Sequence, residues 1–149
     1  MAESLFPSFP EIEVYEADDT VVNTFSASYM FDHDKGEFVT DGANRVVVCN
    51  GYDAWKSWCL KTIQTERDSC LAYSTNIGIE LENALKSGTT EAVKLVLERT
   101  ITEALLIHPS TQSVGEFELS IVGDSLSASF LVKGKNVPAF TASLDVVIP

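Results

Sequence analysis

Four carboxylates, Glu66, Asp68, Glu80 and Glu82, bracket one stretch of this 149-residue chain and are the side chains best able to supply acid/base chemistry. Glycoside hydrolysis needs two carboxyl groups held a defined distance apart, one of them with a raised pKa. Sequence spacing does not establish that distance. Glu66 and Arg67 have no obvious nucleophile and no histidine beside them, so they read more economically as an internal ion pair or a partner contact. The chain carries no Gly-rich phosphate loop, no Gly-x-Ser-x-Gly elbow and no His-Glu-x-x-His helix. The expectation is a protein that is not an enzyme and needs no cofactor.

Metal and redox chemistry are equally poorly supplied. Cys49, Cys59 and Cys70 form no Cys-x-x-Cys pair and leave an odd thiol in any disulfide scheme; only His33 and His108 could join them around a metal. Reduced thiols packed as small apolar residues are expected, with Cys59 on one helical face with Trp55, Trp58 and Ile63. Asp32-His33-Asp34 offers three ligand types, but neighbouring strand residues point to opposite faces. With Lys35-Gly36 the run reads as a polar hairpin turn, not a metal site.

The elements that position these residues follow from periodicity. From residue 21 the pattern alternates, with Phe25, Ala27, Tyr29 and Phe31 on one side, and Glu37-Phe38-Val39 returns after the turn. Asp53 can cap a first helix that ends near Thr65; a short second helix ends at Lys86 before Ser87-Gly88; a third begins near Thr89 or Thr90 and stops before Pro109. Three alternating segments follow over 116–123, 125–132 and 139–147, the first two joined by Gly123-Asp124. One-sided apolar strands covered by helices predict an α+β fold: a two-layer domain over 21–149 with an N-terminal β-hairpin, about three helices and a C-terminal antiparallel β-sheet.

Residues 1–20 differ in character, with Pro7, Pro10 and six acids but no base, and read as an extended acidic arm. Its aromatic residues Phe6, Phe9 and Tyr15 could dock on a neighbour. The formal net charge of −12 argues against direct nucleic-acid binding and against anionic membrane, and favours a basic protein partner. No apolar run approaches a membrane span and the first residues lack a basic signal region, so a soluble protein made in the cytoplasm is expected.

The stretch 65–81 resembles a known family. Thr65-Glu66-Arg67 at the end of a helix, an extended segment with a buried-looking Tyr73, and then Asn76-Ile77-Gly78-Ile79-Glu80-Leu81 opening the next helix are similar to the connector of the phage-type contractile-tail baseplate wedge and sheath-initiator family, related to the type VI secretion baseplate wedge component. The strand and turn of Tyr29 to Phe38, Asp41-Gly42 before a helix, Leu105-Leu106 at the end of the long helix and Gly123-Asp124-Ser125-Leu126 follow in the family's order. Two departures stand out. Ile107-His108-Pro109-Ser110 keeps only the proline of a Glu-Pro-Arg-type motif, and Ile77 replaces an aromatic residue before the connector glycine.

The resemblance implies a structural protein of a phage or bacteriocin tail, six copies around the tube, in contact with tail sheath protein, baseplate wedge proteins and tube or hub proteins. It implies sheath polymerisation templated by β-strand augmentation, assembly in the bacterial cytoplasm, and residence in the tail baseplate of the mature particle. Glu66, Arg67, Tyr73, Asn76 and Gly78 would form the structural connector, and Phe140, Thr141, Ala142, Ser143, Leu144 and Asp145 would meet the sheath protein. Two other classes stay open: a peptidoglycan hydrolase associated with a baseplate, and an acidic protein that mimics nucleic acid.

Overall fold

The computed structural model describes residues 27–148. The expected arm, with Phe6, Phe9 and Tyr15, and the first part of the alternating run, with Phe25, lie outside the described residues.

Short strands come first: β1 (Ser28–Tyr29), β2 (Phe31–Asp32), β3 (Glu37–Phe38) and β4 (Val48–Cys49). The expected hairpin is present, pairing Phe31 with Phe38 and Asp32 with Glu37. Its turn is built as the residue types require, with Gly36 at φ +71 and Asp32 Oδ1 accepting from the backbone N–H groups of Asp34 and Lys35. Those donors, the Lys35 amide foremost, hold the Asp32 carboxyl below its ordinary pKa. His33 turns instead towards Gln64, Nδ1 to Oε1 3.1 Å, and among the described residues no three His, Cys, Asp or Glu side chains gather to hold a metal.

Strand β4 was not anticipated. It pairs with β1 through Ser28–Cys49 and Tyr29–Val48, and a Thr40–Val46 bridge supports it. The β-branched run Val46-Val47-Val48 was the available signal. The alternation expected for one buried side also fails at Tyr29, which is 60% exposed.

Helix α1 (Gly51–Ile63) starts after Asn50, so Asp53 sits inside its first turn and is not the cap; an acid there still favours the helix's positive end. Helix α2 (Leu81–Leu85) is shorter than expected and is followed by Gly88 at φ +94. Helix α3 (Thr90–Leu106) is capped by Thr89, whose Oγ1 accepts from the Ala92 N–H at 3.2 Å.

The chain ends in β5 (Thr111–Val122), β6 (Ser125–Gly134) and β7 (Phe140–Val147), one antiparallel sheet in the order β5-β6-β7. β5 begins five residues before the expected start because Gly115 and Glu116, the latter at φ +55, interrupt its period where the register shifts. β6 and β7 keep strict alternation: Leu126, Ala128, Phe130 and Val132, then Phe140, Ala142 and Leu144, are buried against Trp55, Cys59 and Ile63 of α1 and Leu97, Ile101 and Leu105 of α3. Trp55 anchors this layer contact, its ring 5.3 Å from Phe140 and its indole N–H donating to Thr111 Oγ1 at 3.1 Å. His108 packs on Trp58, its pKa lowered by burial, and its Nδ1 accepts from the Ser110 N–H. Among the described residues no helix is long and apolar enough to cross a membrane.

The thiols divide. Cys49 and Cys59 are buried, and burial pushes the Cys59 thiol up to about 12, whereas Cys70 lies exposed and corrects the expectation that all three pack as apolar residues. Native protein at mildly alkaline pH should take one alkyl group quickly, at Cys70, and two more only on unfolding. Mass spectrometry through a labelling time course reads this directly; a second label entering the native state at the rate of the first would contradict it.

Candidate functional site

Among the described residues, sheet order leaves β5 and β7 without a neighbour on one side. The two edges differ. β5 carries irregularities between Thr111 and Ser113 and between Gly115 and Glu118, which disrupt a template for strand addition. β7 pairs with β6 in unbroken register from Val132–Phe140 to Ser125–Val147.

The phase of β7 follows from one bond. Ile148 N–H donates to Asp124 O, and these two residues stand opposite each other in the same register. Hydrogen-bonded and non-hydrogen-bonded pairs alternate in an antiparallel ladder, so Phe140, Ala142, Leu144 and Val146 direct their backbone groups inward to β6. Thr141, Ser143, Asp145 and Val147 direct theirs outward along the open edge. The same outward residues carry the exposed side chains, so the edge offers the small polar groups of Thr141, Ser143 and Asp145 and the apolar Val147, with Ser127 Oγ donating to Asp145 Oδ1 at 2.7 Å across the outer face.

Beside this edge sits the connector. Ile79 N–H donates to Thr65 O and Arg67 N–H to Ile79 O, both at 2.9 Å, forming a parallel bridge between Glu66 and Ile79. Gly78 makes the approach feasible: it adopts φ +108, and a Cβ there would lie 2.8 Å from Thr65 O and 2.9 Å from Arg67 N. Glu66 and Arg67 do not pair with each other. Glu66 Oε2 accepts from the Leu81 N–H at the start of α2, while Arg67 donates from Nη1 to Glu80 Oε1 at 3.1 Å and from Nη2 to Gly78 O at 3.2 Å. Glu80 N–H donates to Thr100 Oγ1, fastening the connector to α3.

The residues between the two bridge strands stand away from the core. Leu71 is fully exposed, Asn76 is exposed, and Tyr73 is 37% exposed, correcting its expected burial. Tyr73 lies off any helical or strand period and is held from outside by the Lys61 ammonium, 4.5 Å from its ring centre. A groove lined by Thr65, Glu66, Ile79, Leu81, Leu144 and Asp145, among others, joins the connector to the second half of β7. Of the expected connector residues only Glu66 lines that groove; Arg67 and Gly78 sit behind it at the Glu66–Ile79 bridge, and Tyr73 and Asn76 are not part of it.

Three of the four carboxylates first considered for hydrolysis are engaged in structure. Glu66 caps α2, Glu80 holds Arg67 and also accepts from Asn83, and Glu82 pairs with Lys86 at 3.1 Å on the surface. The fourth, Asp68, adopts a left-handed backbone at φ +61 just after the bridge.

Residues 27–136 match the family model described as contractile injection system sheath initiator. The chain is also similar to the phage-like element PBSX protein XkdS of Bacillus subtilis (strain 168), 31% identical over 125 residues that cover 83% of this chain and 84% of the relative.

Proposed function

Because this chain belongs to the contractile injection system sheath initiator family, we propose that it joins the baseplate of a contractile tail to the sheath and starts sheath assembly by adding a strand of the tail sheath protein to β7. Family membership gives the structural role at baseplate and sheath. The observation that carries the finer reading is the edge of β7, in unbroken register with β6 and unpaired among the described residues, with outward backbone groups at Thr141, Ser143, Asp145 and Val147.

The family match ends before β7, so this assignment of the edge rests on strand order and ladder phase. Each outward residue presents one donor and one acceptor, and an added strand would satisfy both. Phe140, Ala142 and Leu144 act from beneath, fixing β7 in register through the core. Glu66, Arg67 and Gly78 hold the connector together, and its Thr65, Glu66 and Ile79 line a groove with Leu144, Asp145 and Val146 of the same strand.

Wedge and tube or hub proteins are the remaining partners, with six copies of the chain around the tube and the arm residues Phe6, Phe9 and Tyr15 docking on a neighbouring subunit. Assembly in the bacterial cytoplasm precedes residence in the phage or bacteriocin tail.

Ser143→Pro removes an outward donor without breaking the ladder to β6. Electron microscopy of particles made with this variant should show tubes and baseplates without extended sheath. Full-length sheath on particles that contain the folded variant would refute strand addition at β7.

A further inference from the structure

A strand laid on β7 brings side chains as well as backbone to the edge, and the two faces that it meets differ. Residues directly opposite in a ladder point to the same face, and successive residues of one strand to opposite faces. Positions opposite Thr141, Ser143 and Asp145 therefore look onto the outer face, while positions opposite Leu144 and Val146 look inward.

On that inward side the packed layer is open at one end. Ile63, Thr65, Ile79 and Leu81 line a groove of about 240 Å³ with Leu144 and Val146. Ile63 and Ile79 form its floor, at 2% and 1% exposure, whereas Leu81 and Val146 belong to the partly buried fringe of the core. Val146 keeps the inward phase of β7, yet the described residues cover it only in part. One further apolar side chain arriving from the edge would complete its burial, a favourable transfer from water. The charges at the groove have a single sign. Glu66 and Asp145 line it, and among the described residues no lysine or arginine does.

We infer that the strand added to β7 carries a large apolar anchor that fills this groove beside Val146, next in sequence to a lysine or arginine that faces Asp145. The inference rests on the reading that the tail sheath protein supplies that strand. Backbone pairing alone leaves register free. The groove fixes it, because a slip of one residue would turn the basic side chain onto Ile63 and Ile79 and the anchor out to water.

The test uses tail particles assembled with full-length protein in which Leu81, Gln64 or Ser143 is replaced, one at a time, by photo-leucine. Gln64 is exposed at the rim of the groove, so its replacement leaves the core intact. After irradiation, mass spectrometry reads the captured residues. The reporters at 81 and 64 should capture a sheath-protein strand at an apolar residue that has lysine or arginine as its neighbour, and the reporter at 143 should capture the same strand. Capture at 143 without capture at 64 and 81 would overturn the anchor and leave strand addition standing, as would a captured strand with only polar residues at that place. Capture of residues 1–26 of this chain at 64 and 81 would show the groove filled by its own sequence and overturn the inference too. Absence of sheath protein at 143 would refute strand addition at β7 itself, and the anchor with it.

Discussion

Gly78→Ala should lower the thermal midpoint by roughly 10 °C, whereas Gly42→Ala should leave it within about 2 °C. The two glycines differ in what a methyl group would meet. At Gly42 nothing lies within 4 Å, but at Gly78 the new Cβ would press on Thr65 O and Arg67 N, backbone atoms already held by the bridge to Ile79. The left-handed φ adds strain of about 1 kcal/mol. Relief requires opening that bridge, which also withdraws the Glu66 carboxylate from Leu81 and the Arg67 guanidinium from Gly78 O. The total is about 3 kcal/mol or more. Calorimetry of both variants checks the difference; equal midpoints would show that the connector is not a close backbone junction.

Moving a proline by one position along β7 should change its effect from loss of assembly to loss of folding. Ser143 directs its N–H outward, so Ser143→Pro keeps every bond to β6 and should cost about 1 kcal/mol. Ala142 is 2% exposed and paired with Phe130, and its N–H belongs to the β6 ladder. Ala142→Pro breaks that bond and forces the ring into the packed layer, at a cost of about 3 kcal/mol or more. Denaturant melts of the two variants should separate clearly. Equal destabilisation would invert or abolish the ladder phase assigned to this edge.

What was legible in the sequence tracks which residues are buried on one side only. Leu126 to Val132 and Phe140 to Leu144 alternate because one face meets α1 and α3, and α3 is announced by its Thr89 cap and the spacing of Leu97, Ile101 and Leu105. β5 was read only in part, since Gly115 and the positive φ of Glu116 break the period. The connector could be located but not wired. Arg67 and Glu80 are 13 residues apart and meet only because Gly78 lets two backbones approach, an event with no periodic signature. Tyr73 is an aromatic residue with no period to assign it a side, and it lies out against Lys61. That β7 lies last in the sheet among the described residues is likewise set by strand order, a tertiary property.

Residue-resolved hydrogen exchange along β7, in the free protein and in the assembled tail, tests strand addition most directly. In the free protein the amides of Ala142, Leu144 and Val146 should be protected and those of Thr141, Ser143 and Asp145 open. Assembly should protect Thr141, Ser143 and Asp145 and so erase the alternation. Outward amides that exchange as freely in the tail as in the free protein would contradict the account.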